Sequence, residues 1–536
     1  MAKRVTLLAA VTFLVAAGLL PLAAMLVKSA WVQGHFSLAA YRGLLTSRRE
    51  WTLMANSLTL AMATTCLATL VGVPLGILLG KTNLPFRRFF TVLFTVPLLI
   101  PPYMTAIAWF FVMGRRGLLS RLFGSAAGGI ASAWLFSLPG CAWILFTTFL
   151  PVVLLLTLIY IRTVEPRLEE AGRLAAGWPR VLAKITLPLI LPGILLASML
   201  VFLLTLGEYG VPSFLRVRVF PVESLTQFAA FYNFGAATAA ALPLLAITAA
   251  ALASERFFLR KKTILSRPVP GTLFVHEIDL GNARPWITLC VGISCLVIVV
   301  LPLIVLIFQS LPGDAYREAI TRAGGSIRRS VAYAAVGATL LTVLGFLLGT
   351  LVHTRAFRFW RAVDSLALFL FATSGTVIGI GLIALWNRPS TNFVYGTAAI
   401  IVLGTLARYS AIPHRMTVAT LARIPGNMEE AARVAGAGWF RRLFLIVIPL
   451  AKRGLLGAWL VAYIFCLRDT GITLVVYPPG HDTLPVRIFT LMANGSPQLI
   501  AALCVITIFI TLTPLGLGGA AYRWWGKRAS PVGDGA

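Results

Sequence analysis

Long apolar runs, each closed by a short polar or basic stretch, recur along the whole chain. A helix needs about 20 mostly apolar residues to cross the hydrocarbon core of a bilayer. Twelve segments meet that length: 5–27, 57–79, 90–112, 139–161, 189–207, 236–254, 286–308, 330–352, 365–386, 393–413, 450–467 and 498–520. The pattern predicts an all-α integral membrane protein with about 12 transmembrane helices. The stretch 128–138 is apolar enough to re-enter the membrane. The run 5–27 follows Met-Ala-Lys-Arg and exceeds the roughly 7–15 apolar residues of a signal peptide. It is expected to be an uncleaved first helix.

Composition supports lipid as the solvent. The chain is 59% hydrophobic and 12% charged, with a mean hydropathy of +0.89, against about 45–50% and 25% for soluble domains. The net charge of +29 raises nucleic-acid binding, but the basic residues form no continuous face of the kind that binding needs. They fall in short runs between apolar segments, such as Arg87-Arg88, Arg260-Lys261-Lys262 and Arg441-Arg442. Such runs mark cytoplasmic loops. With the N-terminus in the cytoplasm, roughly two thirds of the Lys and Arg residues lie on that side, which predicts that both termini are cytoplasmic. Arg48-Arg49, Arg115-Arg116 and Arg328-Arg329 run against the bias. Six cysteines lie in or beside apolar segments without a CxxC pair, and five histidines are scattered singly. They read as small buried residues rather than a disulfide or metal framework. No metal or cofactor is expected.

The chain repeats itself. Ser57, Gly72 and Gly76 match Ser330, Gly345 and Gly349 at one offset of 273, and Ile185, Pro188, Glu208 and Gly210 match Ile446, Pro449, Asp469 and Gly471 at one offset of 261. Two six-helix repeats follow, of a kind common in transporters: a first half over 1–254, a polar cytoplasmic linker over 255–285, a second half over 286–528 and a tail over 529–536.

Between the tenth and eleventh runs stands Glu430-Ala431-Ala432-Arg433-Val434-Ala435-Gly436, followed by Ile446-Val447-Ile448-Pro449. The first half carries Glu170-Ala171-Gly172-Arg173-Leu174-Ala175-Ala176-Gly177 and then Ile185-Thr186-Leu187-Pro188. Small residues after the Glu let a short helix pack closely, and Gly436 suits the positive-φ turn that redirects the chain. The second copy resembles the cytoplasmic Glu-Ala-Ala signature of binding-protein-dependent ABC importer permeases, altered only at Ile448. The first copy departs more: its third position is Gly172, and its Glu-to-Pro spacing is one residue short unless Glu169 is the first position.

The resemblance implies the type I ABC importer permease fold, with an elbow in each half docking on one of two separate ATPase subunits. It also implies an external substrate-binding protein and alternating access in a bacterial inner membrane. The coupling residues it marks are Glu169, Glu170, Ala171, Gly172, Gly177 and Pro188, then Glu430, Ala431, Ala432, Gly436 and Pro449. The sequence contains no Gly-x-x-x-x-Gly-Lys-Ser/Thr phosphate loop, so the chain is read as a transport subunit and not an enzyme.

Fused permeases of this length import ferric iron, thiamine or aminoalkylphosphonates. Gly207-Glu208-Tyr209-Gly210-Val211-Pro212, Arg468-Asp469-Thr470-Gly471 and the segment Tyr477–Arg487 resemble the ferric-iron branch most. An ion-gradient-driven transporter would also show twelve helices, without reason for paired elbows. Glu208 and Asp469 occupy equivalent places. They read either as residues of the translocation pathway or as solvated carboxylates near the external surface. His481 and Tyr477 read as ordinary loop residues in preference to iron ligands.

Overall fold

The computed structural model describes residues 2–32, 35–37, 39–259 and 277–528. The centre of the expected linker, 260–276, and the tail 529–536 lie outside them. Among the described residues nine helices are long and apolar enough to span a membrane, or twelve if each of three sharply bent pairs forms one span. The first half holds α1 (Ala2–Ala30), α2 (Arg48–Lys81), the pair α3 (Arg87–Leu99) and α4 (Pro102–Met113), α5 (Leu138–Ile161), α6 (Pro166–Ala175), α7 (Trp178–Leu206) and α8 (Phe234–Leu259). The second holds α9 (Gly281–Ser310), α10 (Ala315–His353), the pair α11 (Trp360–Ala372) and α12 (Gly375–Trp386), α13 (Ala399–Tyr409), α14 (Ala411–Leu421), α15 (Gly426–Val434), α16 (Trp439–Arg468) and α17 (Pro497–Arg528).

Three expected spans are not straight. Segments 90–112 and 365–386 turn by 105° and 106°. Pro101-Pro102 explains the first turn: neither residue offers an N–H, and Ile100, preceding proline, is held extended. In the second half Thr373 and Ser374 take extended backbone at the same place in the repeat. Segment 393–413 falls on helices Pro389–Tyr395 and Ala399–Tyr409, bent by 75°, and the chain continues past Ser410 as α14. The stretch 128–138 begins inside a helix, Leu118–Leu135, broken at Gly124, where φ is +89°.

The repeat is visible in the packing. A Cβ on Gly76 would meet the Cβ of Thr157 at 2.7 Å, and one on Gly349 would meet the Cβ of Thr417 at 2.7 Å. These glycines seat α2 against α5 and α10 against α14. Ser57 accepts the backbone N–H of Phe220 at 3.0 Å, and Ser330 accepts that of Leu484 at 2.6 Å. Both serines are buried. A π-turn precedes a proline by two residues at four places, ahead of Pro21, Pro188, Pro302 and Pro449. The ring excludes the carbonyl four residues back, and a wider turn absorbs the mismatch.

The compact units do not follow the linear halves. One gathers Met1–Leu38, Tyr232–Thr238 and Asp314–Ala536; the other gathers Ala39–Phe231 and Ala239–Gly313. Each repeat thus gives its first helix to the other unit. In the first unit α1 packs on α12 so closely that a Cβ on Gly381 would lie 3.0 Å from the Pro21 carbonyl. In the second, Val291, Cys295, Ile298 and Val299 of α9 join the core built on α2 to α5. The segment leading into α9 is stapled to the end of α2: Ile278 N–H donates to the Lys81 carbonyl at 2.8 Å, and Asn83 Nδ2 donates to Asp279 at 2.6 Å. Boundaries near 254 and 286 describe the sequence repeat, whereas hydropathy carries no information about which partner a helix chooses.

Candidate coupling site

Both elbow motifs form short helices followed by a sharp turn into a long one. In the second half, α15 ends in a Schellman motif: Ala437 N–H donates to the Ala432 carbonyl and Gly436 N–H to the Arg433 carbonyl, both at 3.0 Å. Gly436 has φ +80°, the conformation its identity suggested. In the first half α6 stops on Ala176, an extended residue with φ −153°. The offset between repeats is 260 from Thr157 through Ala175 and 261 from Ala176 onward. The extra residue is Gly436. Gly177 therefore corresponds to Gly438: both sit at φ near −65° ahead of a tryptophan, Trp178 or Trp439. Gly177 does not supply the left-handed turn, and the spacing anomaly of the first copy is a one-residue deletion of it.

The paired glutamates part ways. Glu170 and Glu430 are exposed, as are Ala171 and Ala431, while Gly172 and Ala432 turn partly inward. A Cβ on Gly172 would lie 2.5 Å from the Ile185 Cδ1, the end of that side chain, so a larger residue there would displace it. Pro188 and Pro449 are exposed and open the straight part of α7 and α16. Glu169 neither faces solvent nor caps the elbow. It is 1% exposed, ion-paired with Lys81, itself 2% exposed, and accepts the Thr186 hydroxyl at 2.6 Å. The second half has no copy of this cluster. Thr354 stands for Lys81 and Val447 for Thr186, while Glu429 is half-exposed and lies 3.6 Å from Arg442. Arg442 in turn donates to the Ala437 carbonyl at 2.9 Å.

Each elbow carries one strongly exposed apolar side chain at the same position: Leu174 is 92% exposed and Val434 is 87% exposed. Leu174 is flanked by Arg173, whose guanidinium stacks over Trp178 at 4.9 Å. Lys81, Leu174 and Val434 escaped sequence reasoning. A lone lysine closing an apolar helix looks like an interfacial charge, and a single aliphatic residue inside a polar motif carries no signal.

The two pathway candidates differ as well. Asp469 is not a solvated helix-end carboxylate. Its side chain is wholly buried and accepts five hydrogen bonds: Arg408 Nη1 at 3.1 Å, Tyr409 OH at 2.7 Å, Ile472 N–H at 3.2 Å, Thr473 N–H at 3.1 Å and Thr473 Oγ1 at 3.0 Å. Glu208 is half-buried and accepts the Gly210 N–H at 3.0 Å. The sequence offset hid this contrast, because Thr148 and Phe149 occupy the places of Arg408 and Tyr409. His481 Nδ1 pairs with Tyr333 OH at 2.7 Å. The neighbouring Asp482 carboxylate accepts Arg329 Nη2 and, at 2.6 Å, the Ser326 hydroxyl. Arg49 similarly meets Glu223 at 2.8 Å, so two of the three arginine pairs that oppose the charge bias are anchored by carboxylates. Among the described residues no three His, Cys, Asp or Glu side chains come together to hold a metal ion.

Comparison with known proteins gives a consistent picture. Residues 72–264 match the family described as binding-protein-dependent transport system inner membrane component. A putative ferric transport system permease protein of Haemophilus influenzae is 22% identical over 83% of this chain and 73% of its own. A ferric transport system permease protein of Actinobacillus pleuropneumoniae is 21% identical over 85% and 70%. A molybdenum transport system permease protein of Mycobacterium tuberculosis is 30% identical, over 36% of this chain and 69% of its own.

Proposed function

Because this chain belongs to the family of binding-protein-dependent transport system inner membrane components, we propose that it is the ferric-iron permease of an ATP-driven importer, with both permease halves in one polypeptide. The observation that carries the cargo is coverage: relatives named for ferric transport align with more than four fifths of the chain. The relative named for molybdenum transport aligns with about a third. Its higher identity favours a second reading, the same machinery serving a different small solute.

In this reading the chain crosses the inner membrane many times with both termini in the cytoplasm, the side on which basic loops accumulate. Two copies of a separate ATPase dock on α6 and α15. Glu170 and Glu430 face them, and Leu174 and Val434 insert as apolar knobs. Hydrolysis belongs to those partners. ATP closes the ATPase pair, the elbows move, and the permease opens outward to receive cargo from an external binding protein. Release of phosphate restores the inward-facing state. Binding protein and ATP shift the population because each contacts the two states differently. Of the two acids Glu208 is the more exposed and so the more accessible to a passing cation, whereas the Asp469 side chain is wholly buried.

The test is uptake of labelled ferric iron, molybdate and 2-aminoethylphosphonate by vesicles holding the chain with its cognate ATPase and binding protein. Iron uptake that requires ATP supports the proposal. Uptake of another solute alone overturns the cargo. Iron uptake that survives loss of the ATPase points to an ion-gradient-driven transporter instead.

A further inference from the structure

The two elbows are joined to their halves by different chemistry. At the first, Lys81 and Glu169 are both buried and paired, and the Thr186 hydroxyl adds a second bond to Glu169 from the π-turn near the start of α7. These three residues belong to three elements: the last residue of α2, the first turn of α6 and the start of α7. Charges removed from water hold their partner far more tightly than exposed ones, since separating them strands a bare charge in a low-dielectric site. The same end of α2 also carries the backbone bridge to Ile278. At the second elbow the corresponding trio is Thr354, Glu429 and Val447, which cannot form the lock. Glu429 pairs instead with Arg442, within the same elbow unit and 43% exposed on the Glu side, a pairing worth little in water. That elbow also holds the left-handed Gly436, absent from the first.

We infer that Lys81 is a positioning residue that locks the first coupling helix to α2 and α7 as one rigid body, while the second coupling helix is a compliant hinge. The halves of the importer are thus unequal transmitters: the stroke on α6 passes directly into α2, and the stroke on α15 is partly taken up around Gly436. This inference rests on the reading of α6 and α15 as ATPase docking elements.

Hydrogen exchange on the complete chain in lipid nanodiscs tests the lock without reference to transport. Wild-type amides over 166–175 exchange more slowly than those over 426–434. Lys81→Met/Glu169→Gln, which removes both charges together, brings the two segments to similar rates. In vesicles with the cognate ATPase, that double variant keeps the ATPase bound but lowers uptake per ATP hydrolysed by about tenfold, within the range usual for coupled sites. The exchanged pair Lys81→Glu/Glu169→Lys recovers part of the loss. Equal exchange of both elbows in the wild type, or full coupling in the double variant, overturns the inference. Failure of the ATPase to co-purify with the wild type would overturn the docking assignment itself. Should the double variant not accumulate, Thr186→Val, which removes only the hydroxyl, must show the same loss of protection over 166–175 in smaller measure.

Discussion

Replacing Gly436 by alanine separates backbone conformation from packing in the second elbow. A Cβ placed on Gly436 meets nothing within 4 Å, so the substitution carries no steric clash. Its whole cost is that of holding an L-residue at φ +80°, about 1–2 kcal/mol for a left-handed residue. If the variant keeps the turn, the folded elbow loses a factor of about 5–30 against its opened forms. If it abandons the turn, the two Schellman bonds from Ala437 and Gly436 are lost together. The assay is ATPase retained on the purified permease at limiting ATPase concentration, with thermal unfolding in detergent as a control for the rest of the fold. Gly436→Ala should lower retention several-fold with little change in unfolding temperature. Gly436→Asn should fall between the two, because asparagine tolerates the left-handed region better than alanine. Deleting Gly436 should be milder than either, since it recreates the register of α6, which ends on extended Ala176. Full retention with alanine, or a greater loss with asparagine than with alanine, would refute the conformational argument.

Ser57→Ala and Ser330→Ala should each destabilise by about 1–3 kcal/mol, because each leaves a buried backbone N–H without an acceptor; matched falls in unfolding temperature check this, with exposed Thr513→Ala as the reference. Asp469→Ala should cost about 3–5 kcal/mol by removing the buried carboxylate that pairs with Arg408, and Arg408→Met should recover part of it; equal stability of Asp469→Ala and the double variant counts against the pairing. In the staple at the end of α2, the Gly281 N–H and the Asn83 amide hold the Asp279 carboxyl below its ordinary value of 3.8. A depressed carboxyl stabilises the fold above the unfolded value and loses that contribution as pH falls through the folded one. The difference in unfolding temperature between wild type and Asp279→Asn should therefore be present at pH 7, begin to shrink near pH 3.8 and vanish only once the pH has fallen through the lower folded value.

Among the described residues, hydropathy located the nine long apolar helices and the three bent pairs, because the free energy of crossing lipid depends chiefly on length and apolarity. It could not tell straight spans from the bent pairs at Ile100 and Thr373. Pro101-Pro102 signals the first break, whereas Thr373-Ser374 has no comparable signature. Gly436 was readable because one backbone conformation demands glycine. Its missing partner in the first half shows in the sequence only as a spacing anomaly, and α6 there ends on the extended Ala176. Glu169 and Asp469 are the instructive cases. Each lies next to an exposed or equivalent acid in the sequence, and what separates them is a distant cation, Lys81 or Arg408, that only the fold brings near. Burial of a charge is a property of pairs, and pairs far apart in sequence leave no local trace.

The exchange of first helices sets an order on biosynthesis. As the ribosome releases the chain, α1 enters the bilayer long before α12, the helix it packs against. At about 5–20 residues per second, the residues between Ala30 and Gly375 take roughly 20–70 s to appear. Throughout that interval α1 waits in lipid or beside the insertion machinery, and the core around α2 to α5 waits in turn for α9. Neither unit can close until the nascent chain has passed the midpoint, so a truncated or stalled product leaves both unsealed.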